Sequence, residues 1–200
     1  MMYTAISAVI GYLTGSVNFA VILSKIIYGN DIRNTGSGNP GATNAVRIYG
    51  KKFGITIFLC DFSKGLIAVA IAKLFVVFAD APYEAMLAAG FMAQLGHILP
   101  AFHRFRGGKG VATAVGAAFA LMPLTALLLL LLFGIVLWAT KYVCVASGVC
   151  AAAYPILAYF LSGSQEAMNC VFAASCSMLI LIRHLSNFER LRRGEEGKIK

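Results

Sequence analysis

Charge is what this sequence has least of. Only 12% of its 200 residues are Asp, Glu, Lys or Arg, while 60% are hydrophobic. A water-soluble domain carries about twice that charged fraction. A soluble globular fold is therefore excluded, and the long uncharged runs mark an all-α, polytopic integral membrane bundle forming one domain over residues 1–200. Acid is scarcer still. There are eight Asp and Glu in all, and the three aspartates, Asp31, Asp61 and Asp80, are widely spread. That excludes the aspartate clusters with which CDP-alcohol phosphotransferases hold divalent metal. The five cysteines, Cys60, Cys144, Cys150, Cys170 and Cys176, lie inside apolar runs with no histidine at metal-ligand spacing. They read as small packing residues, not as disulfides or ligands. No basic n-region and no small-residue cleavage site mark the N-terminal run, so it is expected to be a first transmembrane helix rather than a signal peptide. No metal, cofactor or obligate protein partner is implied.

Base is less scarce. Seventeen Lys and Arg give a formal charge of +9. They cluster in short segments between apolar runs, as positive-inside loops do, which argues against nucleic acid as a partner. The first span is expected over about Tyr3–Ile27. No Lys or Arg precedes it, and Lys25, Arg33, Arg47, Lys51 and Lys52 follow. The N-terminus is therefore placed outside and the first loop in the cytoplasm. A second span, about Phe53–Phe78, returns outward to a link holding Asp80 and Glu84. A third, about Ala85–Pro100, delivers His103, Arg104, Arg106 and Lys109 inward.

The apolar run from Val111 to Thr140 would be roughly 45 Å long as one helix, against a hydrocarbon core of about 30 Å. Spans at about Val143–Leu161 and Ala167–Ile182 would then leave the tail outside. That tail carries Arg183, Arg190, Arg192, Arg193, Lys198 and Lys200, a cytoplasmic signature. Splitting the run near Met122–Pro123 repairs the parity, because proline suits the first turn of a new helix. Seven spans result, N-terminus outside and C-terminus cytoplasmic; five spans plus a re-entrant hairpin satisfy the same parity. Gly11 and Gly15 form a small-xxx-small pair suited to close helix contact, and Pro155 is expected to kink its helix.

Two glycine-rich segments carry the chemistry. In GSGNPGATN (36–44), Gly36, Gly38 and Gly41 free the backbone for positive φ, so that successive amides converge on an anion. Ser37, Asn39, Thr43 and Asn44 add compact hydrogen-bonding groups, and Arg47 follows one turn later on an expected helix start. In FRGGKGVAT (105–113), Gly107, Gly108 and Gly110 surround Lys109 just before a helix whose positive end faces the loop. The segment lacks the spacing of an ATP P-loop. The tail RHLSNFERLRRGEEGK (183–198) places His184 and Asn187 one turn apart on one face. Arg192, Arg193, Lys198 and Lys200 read as a basic anchor for anionic headgroups. Asp61 and Lys64, at i and i+3, can pair inside the bundle; they are either functional or a structural ion pair supporting the first loop. His97 is equally open to a structural or a functional role, and no Asp follows it at the spacing of a His-x-x-x-x-Asp acyltransferase pair. The two nests and their cations fit two phosphate groups, or a phosphate and an oxyanion, at the inner face of a membrane. Transport of phosphate esters would require polar residues through the full membrane depth. A non-catalytic scaffold would leave the paired loops unexplained.

The segments GSGNPGATNAVR (36–47), GHILPAFHRFRGGKGVAT (96–113) and RHLSNFERLRRGEEGK (183–198), with GSVNFAVILSK (15–25) and DFSKG (61–65), resemble in order and spacing the bacterial acyl-phosphate:glycerol-3-phosphate acyltransferases, the PlsY family. The resemblance implies transfer of a fatty acyl group from acyl phosphate to the sn-1 hydroxyl of glycerol 3-phosphate. The products would be lysophosphatidic acid and inorganic phosphate, made at the cytoplasmic face of the bacterial inner membrane without acyl-CoA or acyl carrier protein as donor. Ser37, Arg47, Lys109, His184 and Asn187 match the family's active-site positions. Asn18 and Gly197 stand where the family commonly has proline, which bears on local helix geometry and on the path of the tail.

Overall fold

The computed structural model describes residues 1–199, which contain helices and connecting turns and no strand. Lys200, counted among the tail's bases, lies outside the described residues. The helices gather into two compact units, Met1–Leu121 and a second from Met122 onward.

The first unit contains α1 (Met2–Ser16), α2 (Phe19–Tyr28), α3 (Ala42–Tyr49), α4 (Lys51–Phe78), α5 (Glu84–Ile98) and α6 (Val111–Leu121). The first expected span is thus two helices rather than one, broken at Val17–Asn18, where both residues adopt extended backbone. The break has a local cause. The Asn18 side chain accepts the Val21 amide at 3.1 Å and caps α2, and a short amide side chain used this way competes with helix continuation. At the other edge of the break, Val17 O accepts from Lys64 Nζ at 2.9 Å, a cation at the negative end of α1.

In lipid there is little apolar driving force between helices, so close approach must hold them. Methyl groups on Gly11 and Gly15 would strike the backbone of Ala89 and Ala93, so two small-xxx-small faces meet along α1 and α5. On α4 and α6, Gly65 lies against the Thr113 backbone and Gly116 against that of Phe62. The buried side chains of this unit are accordingly small, Ala68, Ala85, Ala89, Ala93, Ala114 and Ala117 among them, while Leu13, Leu59, Ile67, Leu74 and Phe78 are exposed. An apolar exterior around a core of alanine and glycine is the pattern of a protein solvated by lipid.

The second unit contains α7 (Pro123–Thr140), α8 (Val143–Leu161) and α9 (Glu166–Arg192). The expected restart occurs at Pro123, which occupies the first turn of α7. Lys141, at φ 64°, turns the chain from α7 into α8, and α8 runs on through Pro155. Tyr154 meets Phe172 edge to face, centroids 6.4 Å apart, and Gly148 leaves room for the Phe188 ring. Beyond α9 the tail doubles back. Ile199 N donates to Lys141 O at 2.9 Å, and Lys198 Nζ lies 5.4 Å from the Tyr142 ring centroid. The end of the tail and the α7–α8 turn therefore share one end of this unit.

Among the described residues, six helical segments are long and apolar enough to cross a membrane: Met2–Tyr28, Lys51–Phe78, Glu84–His103, Pro123–Thr140, Val143–Leu161 and Ala167–Arg192. Helix α6 has 11 residues and rises about 16 Å, roughly half the hydrocarbon thickness. All five cysteines are free thiols.

Candidate functional site

The first loop is built on a small apolar floor. Ala20, Val21, Ile32, Ala45, Phe53 and Ile57 pack together beneath it. Tyr28 stacks on Tyr49 with centroids 4.0 Å apart, and Phe53 meets both rings edge-on. Asp31 opens a single 3₁₀ turn over Ile32–Asn34 by accepting the Arg33 amide. Its carboxylate also lies 2.7 Å from Arg33 Nη2 and 3.3 Å from Lys25 Nζ. Hydrogen bonding to the Arg33 guanidinium holds the Asp31 carboxyl well below the usual carboxylate range.

Gly36 and Gly38 take the positive φ expected of them, 59° and 70°. Gly41 does not: at φ −151° it is extended and serves as N-cap of α3, because the helix must start there rather than the loop continue. Asn44 organises the turn. Its Oδ1 accepts the Ser37 amide at 2.9 Å, and its Nδ2 donates to Thr35 O at 3.0 Å and Ile32 O at 3.4 Å. The side chain is 1% exposed, so what it does here is shape the loop. Gly36 passes so close to Asn44 Oδ1 that a methyl would collide with it. Ser37 is exposed at the turn, Asn39 is half-buried beside Gly41, Thr43 lies in the first turn of α3, and Arg47 is exposed one turn after Asn44.

The second loop follows α5 through a 3₁₀ turn, Ala101–His103. Arg104 and Phe105 both sit at φ 56°, a conformation that side-chain-bearing residues seldom adopt. Gly107 and Gly108 are buried, and their role is close approach rather than positive φ. A methyl on Gly107 would strike the His97 carbonyl, and one on Gly108 would strike the His97 ring. The Gly108 amide donates to His97 O at 3.1 Å. Gly110, at φ 79°, gives α6 its start by accepting the Ala114 amide at 2.9 Å. Lys109, half-buried, stands immediately before that helix N-terminus.

The two loops are joined. Arg33 Nη1 donates to His103 O at 3.1 Å, so both glycine-rich segments open on one end of the first unit. Nothing in the sequence singled out Arg33 for this part, although its position after Asp31 in DIR was a local cue to the pair.

The second unit holds the remaining residues. The His184 Nδ1–H donates to Ile180 O at 2.8 Å, which fixes Nδ1 as the protonated ring nitrogen. Asn187, one turn on and also buried, donates through Nδ2 to Glu196 Oε1 at 3.1 Å. The other oxygen of Glu196 accepts from Arg190 Nε at 2.9 Å. Nothing in the sequence singled out Glu196. Here its side chain is 5% exposed and holds the returning tail to α9.

Deep in the first unit, Asp61 and Lys64 pair as their spacing allowed, Oδ1 to Nζ 3.0 Å. His97 Nδ1 lies 3.4 Å from the same oxygen. Chemically, the first unit offers two loops shaped by glycine and tied at one end, with Arg47 and Lys109 as cations on them. Such an arrangement suits anionic groups.

The chain matches the glycerol-3-phosphate acyltransferase family over residues 5–194. It is 39% identical over 189 residues to the glycerol-3-phosphate acyltransferase of Syntrophotalea carbinolica, covering 94% of each chain. It is 40% identical over 195 residues to that of Coxiella burnetii, covering 98% of this chain and 97% of the other. Among solved structures it resembles PlsY (YgiH), an integral membrane glycerol 3-phosphate acyltransferase, in its glycerol 3-phosphate form. The TM-score is 0.87 at 35% identity, covering 98% of this chain and 96% of that one. The lysophosphatidic acid form of PlsY gives a TM-score of 0.83 at the same identity, covering 98% and 95%.

Proposed function

Since the chain belongs to the glycerol-3-phosphate acyltransferase (PlsY) family, we propose that it acylates glycerol 3-phosphate on the sn-1 hydroxyl with an acyl phosphate as donor, releasing lysophosphatidic acid and inorganic phosphate. The observation that carries this is the end-to-end likeness to a protein solved in both a glycerol 3-phosphate and a lysophosphatidic acid form. The paired loops give it a physical basis: two phosphorylated substrates must bring their reacting atoms together while their anions stay apart.

Lys109, with the backbone of 107–110 apart from the Gly108 amide, which His97 O takes up, holds the acyl phosphate and stabilises the oxyanion that forms as the hydroxyl oxygen adds to the carbonyl carbon. Arg47 binds the phosphate of glycerol 3-phosphate. Ser37 positions substrate by hydrogen bonding and does not form an acyl-enzyme. Gly36, Gly38, Asn39, Thr43 and Asn44 shape and line the first nest, while Gly107, Gly108 and Gly110 shape the second. His184 and Asn187 keep the place among the active-site residues that the family resemblance gives them. As the tetrahedral adduct collapses, the carbon–phosphate oxygen bond breaks, and phosphate is a good enough leaving group to need no strong acid. The attacking hydroxyl's proton passes to a substrate phosphate oxygen. A pH–rate profile set by a protein histidine, and lost with that histidine at unchanged binding, would refute this last point.

The family match spans both units, which supports the chain acting as one catalytic domain of a bacterial inner membrane with the acyl chain lying among its helices. In this topology α6 is the seventh and shortest span, the N-terminus is outside, and the tail and loops are cytoplasmic. The positive-inside pattern supports that orientation, and the return of the tail to Lys141 keeps the tail on the same side as the α7–α8 turn. The direct test is phosphate release by purified, lipid-reconstituted protein given palmitoyl phosphate. Release is expected only with glycerol 3-phosphate present and is expected to be lost in Lys109→Ala. Equal release with palmitoyl phosphate alone would make the protein a hydrolase and overturn the proposal.

A further inference from the structure

Helix α4 carries a charge pair that the proposed chemistry does not use. Asp61 and Lys64 are each about 3% exposed at the side chain. Taking two charges out of water costs more than their attraction returns unless further polar groups complete the site. Charged residues inside a span are accordingly rare. The additional contacts show what this pair completes. Lys64 Nζ donates to Val17 O at 2.9 Å, at the break between α1 and α2. Asp61 Oδ1 lies 3.4 Å from Nδ1 of His97 on α5. His97 is 4% exposed and forms the floor of the second loop. Its carbonyl accepts the Gly108 amide, and Gly107 and Gly108 run so close to its carbonyl and ring that neither can carry a methyl. The same stretch of α4 grips the far side of the loop, because Gly65 lies against the Thr113 backbone in the first turn of α6.

We propose that Lys64, Asp61 and His97 form a buried positioning relay that fixes the backbone of residues 107–110, and with it Lys109, against the break in the first pair of helices. Lys64 is anchored on the Val17 carbonyl. Asp61 is held by Lys64 and sets the orientation of the imidazole. The imidazole and its carbonyl carry the two glycines that precede Lys109. No group is transferred along this chain. The far edge of the His97 ring is closed by Gly108, so His97 positions the loop and is not the base of the reaction. Only the kinetic part of this inference rests on the acyltransferase assignment; the structural part does not.

The test combines amide hydrogen exchange with kinetics on the full-length protein in lipid nanodiscs. Asp61→Asn is expected to speed exchange in peptides spanning 104–112 by about tenfold or more while leaving α8 peptides unchanged. It is also expected to lower kcat with palmitoyl phosphate and glycerol 3-phosphate by about tenfold or more, whereas Lys64→Arg, which keeps the cation, stays within about threefold of the parent. Because Asp61→Asn strands a buried ammonium, Asp61→Asn/Lys64→Gln is read in its place if the single variant does not fold. A double variant that folds and keeps parental loop exchange overturns the proposal. Exchange that rises equally in the loop and in α8, or a double variant that also fails to fold, overturns it too, since the three residues would then be a scaffold for the whole protein. If the parent shows no acyltransferase activity, the function assignment fails while loop exchange still decides on the relay.

Discussion

Replacing Asn44 by alanine isolates the device that shapes the first loop. The Asn44 side chain makes two hydrogen bonds of 2.9 and 3.0 Å, to the Ser37 amide and the Thr35 carbonyl, and a long one of 3.4 Å to Ile32 O. A typical intramolecular hydrogen bond contributes about 0.5–1.5 kcal/mol net, and a buried group left unmatched costs about 1–3 kcal/mol. Ser37 is exposed and Thr35 half-buried, so water can reach the groups released, which places the loss near 2 kcal/mol rather than at the upper end. That is on the order of a 30-fold shift in a conformational equilibrium, enough to leave a loop of this size largely without its native turn. The expected result is a fall of about tenfold or more in glycerol 3-phosphate-dependent turnover. The thermal midpoint should drop only a few degrees, because the apolar floor beneath the loop is untouched. Asn44→Asp sharpens the test. The carboxylate can still accept the Ser37 amide, but it places oxygen against the Thr35 and Ile32 carbonyls and adds negative charge beside a loop proposed to bind anions. It should lose more activity than alanine. Turnover within twofold of the parent for Asn44→Ala, or an aspartate variant more active than the alanine one, would mean that Asn44 does not hold the loop in its working shape.

Other outcomes follow from the packing and the charges. Gly15→Val should lower the detergent melting temperature strongly or prevent purification of folded protein, since its side chain would drive into the Ala93 backbone. Gly134→Ala in α7, where nothing lies within 4 Å, should be neutral or slightly stabilising because alanine is the better helix former by about 1 kcal/mol. Glu196→Gln removes the charge that holds Arg190 and Asn187 and should increase proteolytic cleavage after residue 193, with α9 intact by circular dichroism. The Asp31 carboxyl is held below its ordinary value of 3.8, so its contribution to stability is complete above that pH and is lost as pH falls below it toward the folded-state value. Arg33→Met should therefore flatten the acid side of the stability–pH curve, and an unchanged acid limb would contradict the assigned pair.

What could be read in the sequence and what could not divide on physical grounds. The restart at Pro123 was legible because length arithmetic and proline chemistry agree. The contact face at Gly11 and Gly15 was legible because small residues four apart have one purpose in a span. The break at Val17–Asn18 carries neither glycine nor proline; it depends on an asparagine cap and on an ammonium from α4, far away in the chain. Asp61 and Lys64 could be paired by spacing, but the approach of His97 could not, since it comes from a different helix. Gly107 and Gly108 announced a tight loop, yet composition cannot distinguish a backbone opened toward an anion from one pressed against a histidine. Gly41 was assigned positive φ by analogy with its neighbours and proved to be an extended cap. Asn44 could be marked as a hydrogen-bonding group of the first nest but not as the residue that shapes it, and Glu196 looks like any polar tail residue until the groups it bonds are brought beside it.

The reaction proposed for this protein joins an acyl phosphate to glycerol 3-phosphate. It is tested most directly by mass spectrometry of the lipid product made by reconstituted protein from palmitoyl phosphate and isotopically labelled glycerol 3-phosphate. Labelled 1-palmitoyl lysophosphatidic acid is expected to form in step with inorganic phosphate, and none when palmitoyl-CoA replaces the acyl phosphate. Labelled product from palmitoyl-CoA alone, or free palmitate with no labelled lipid, would contradict it.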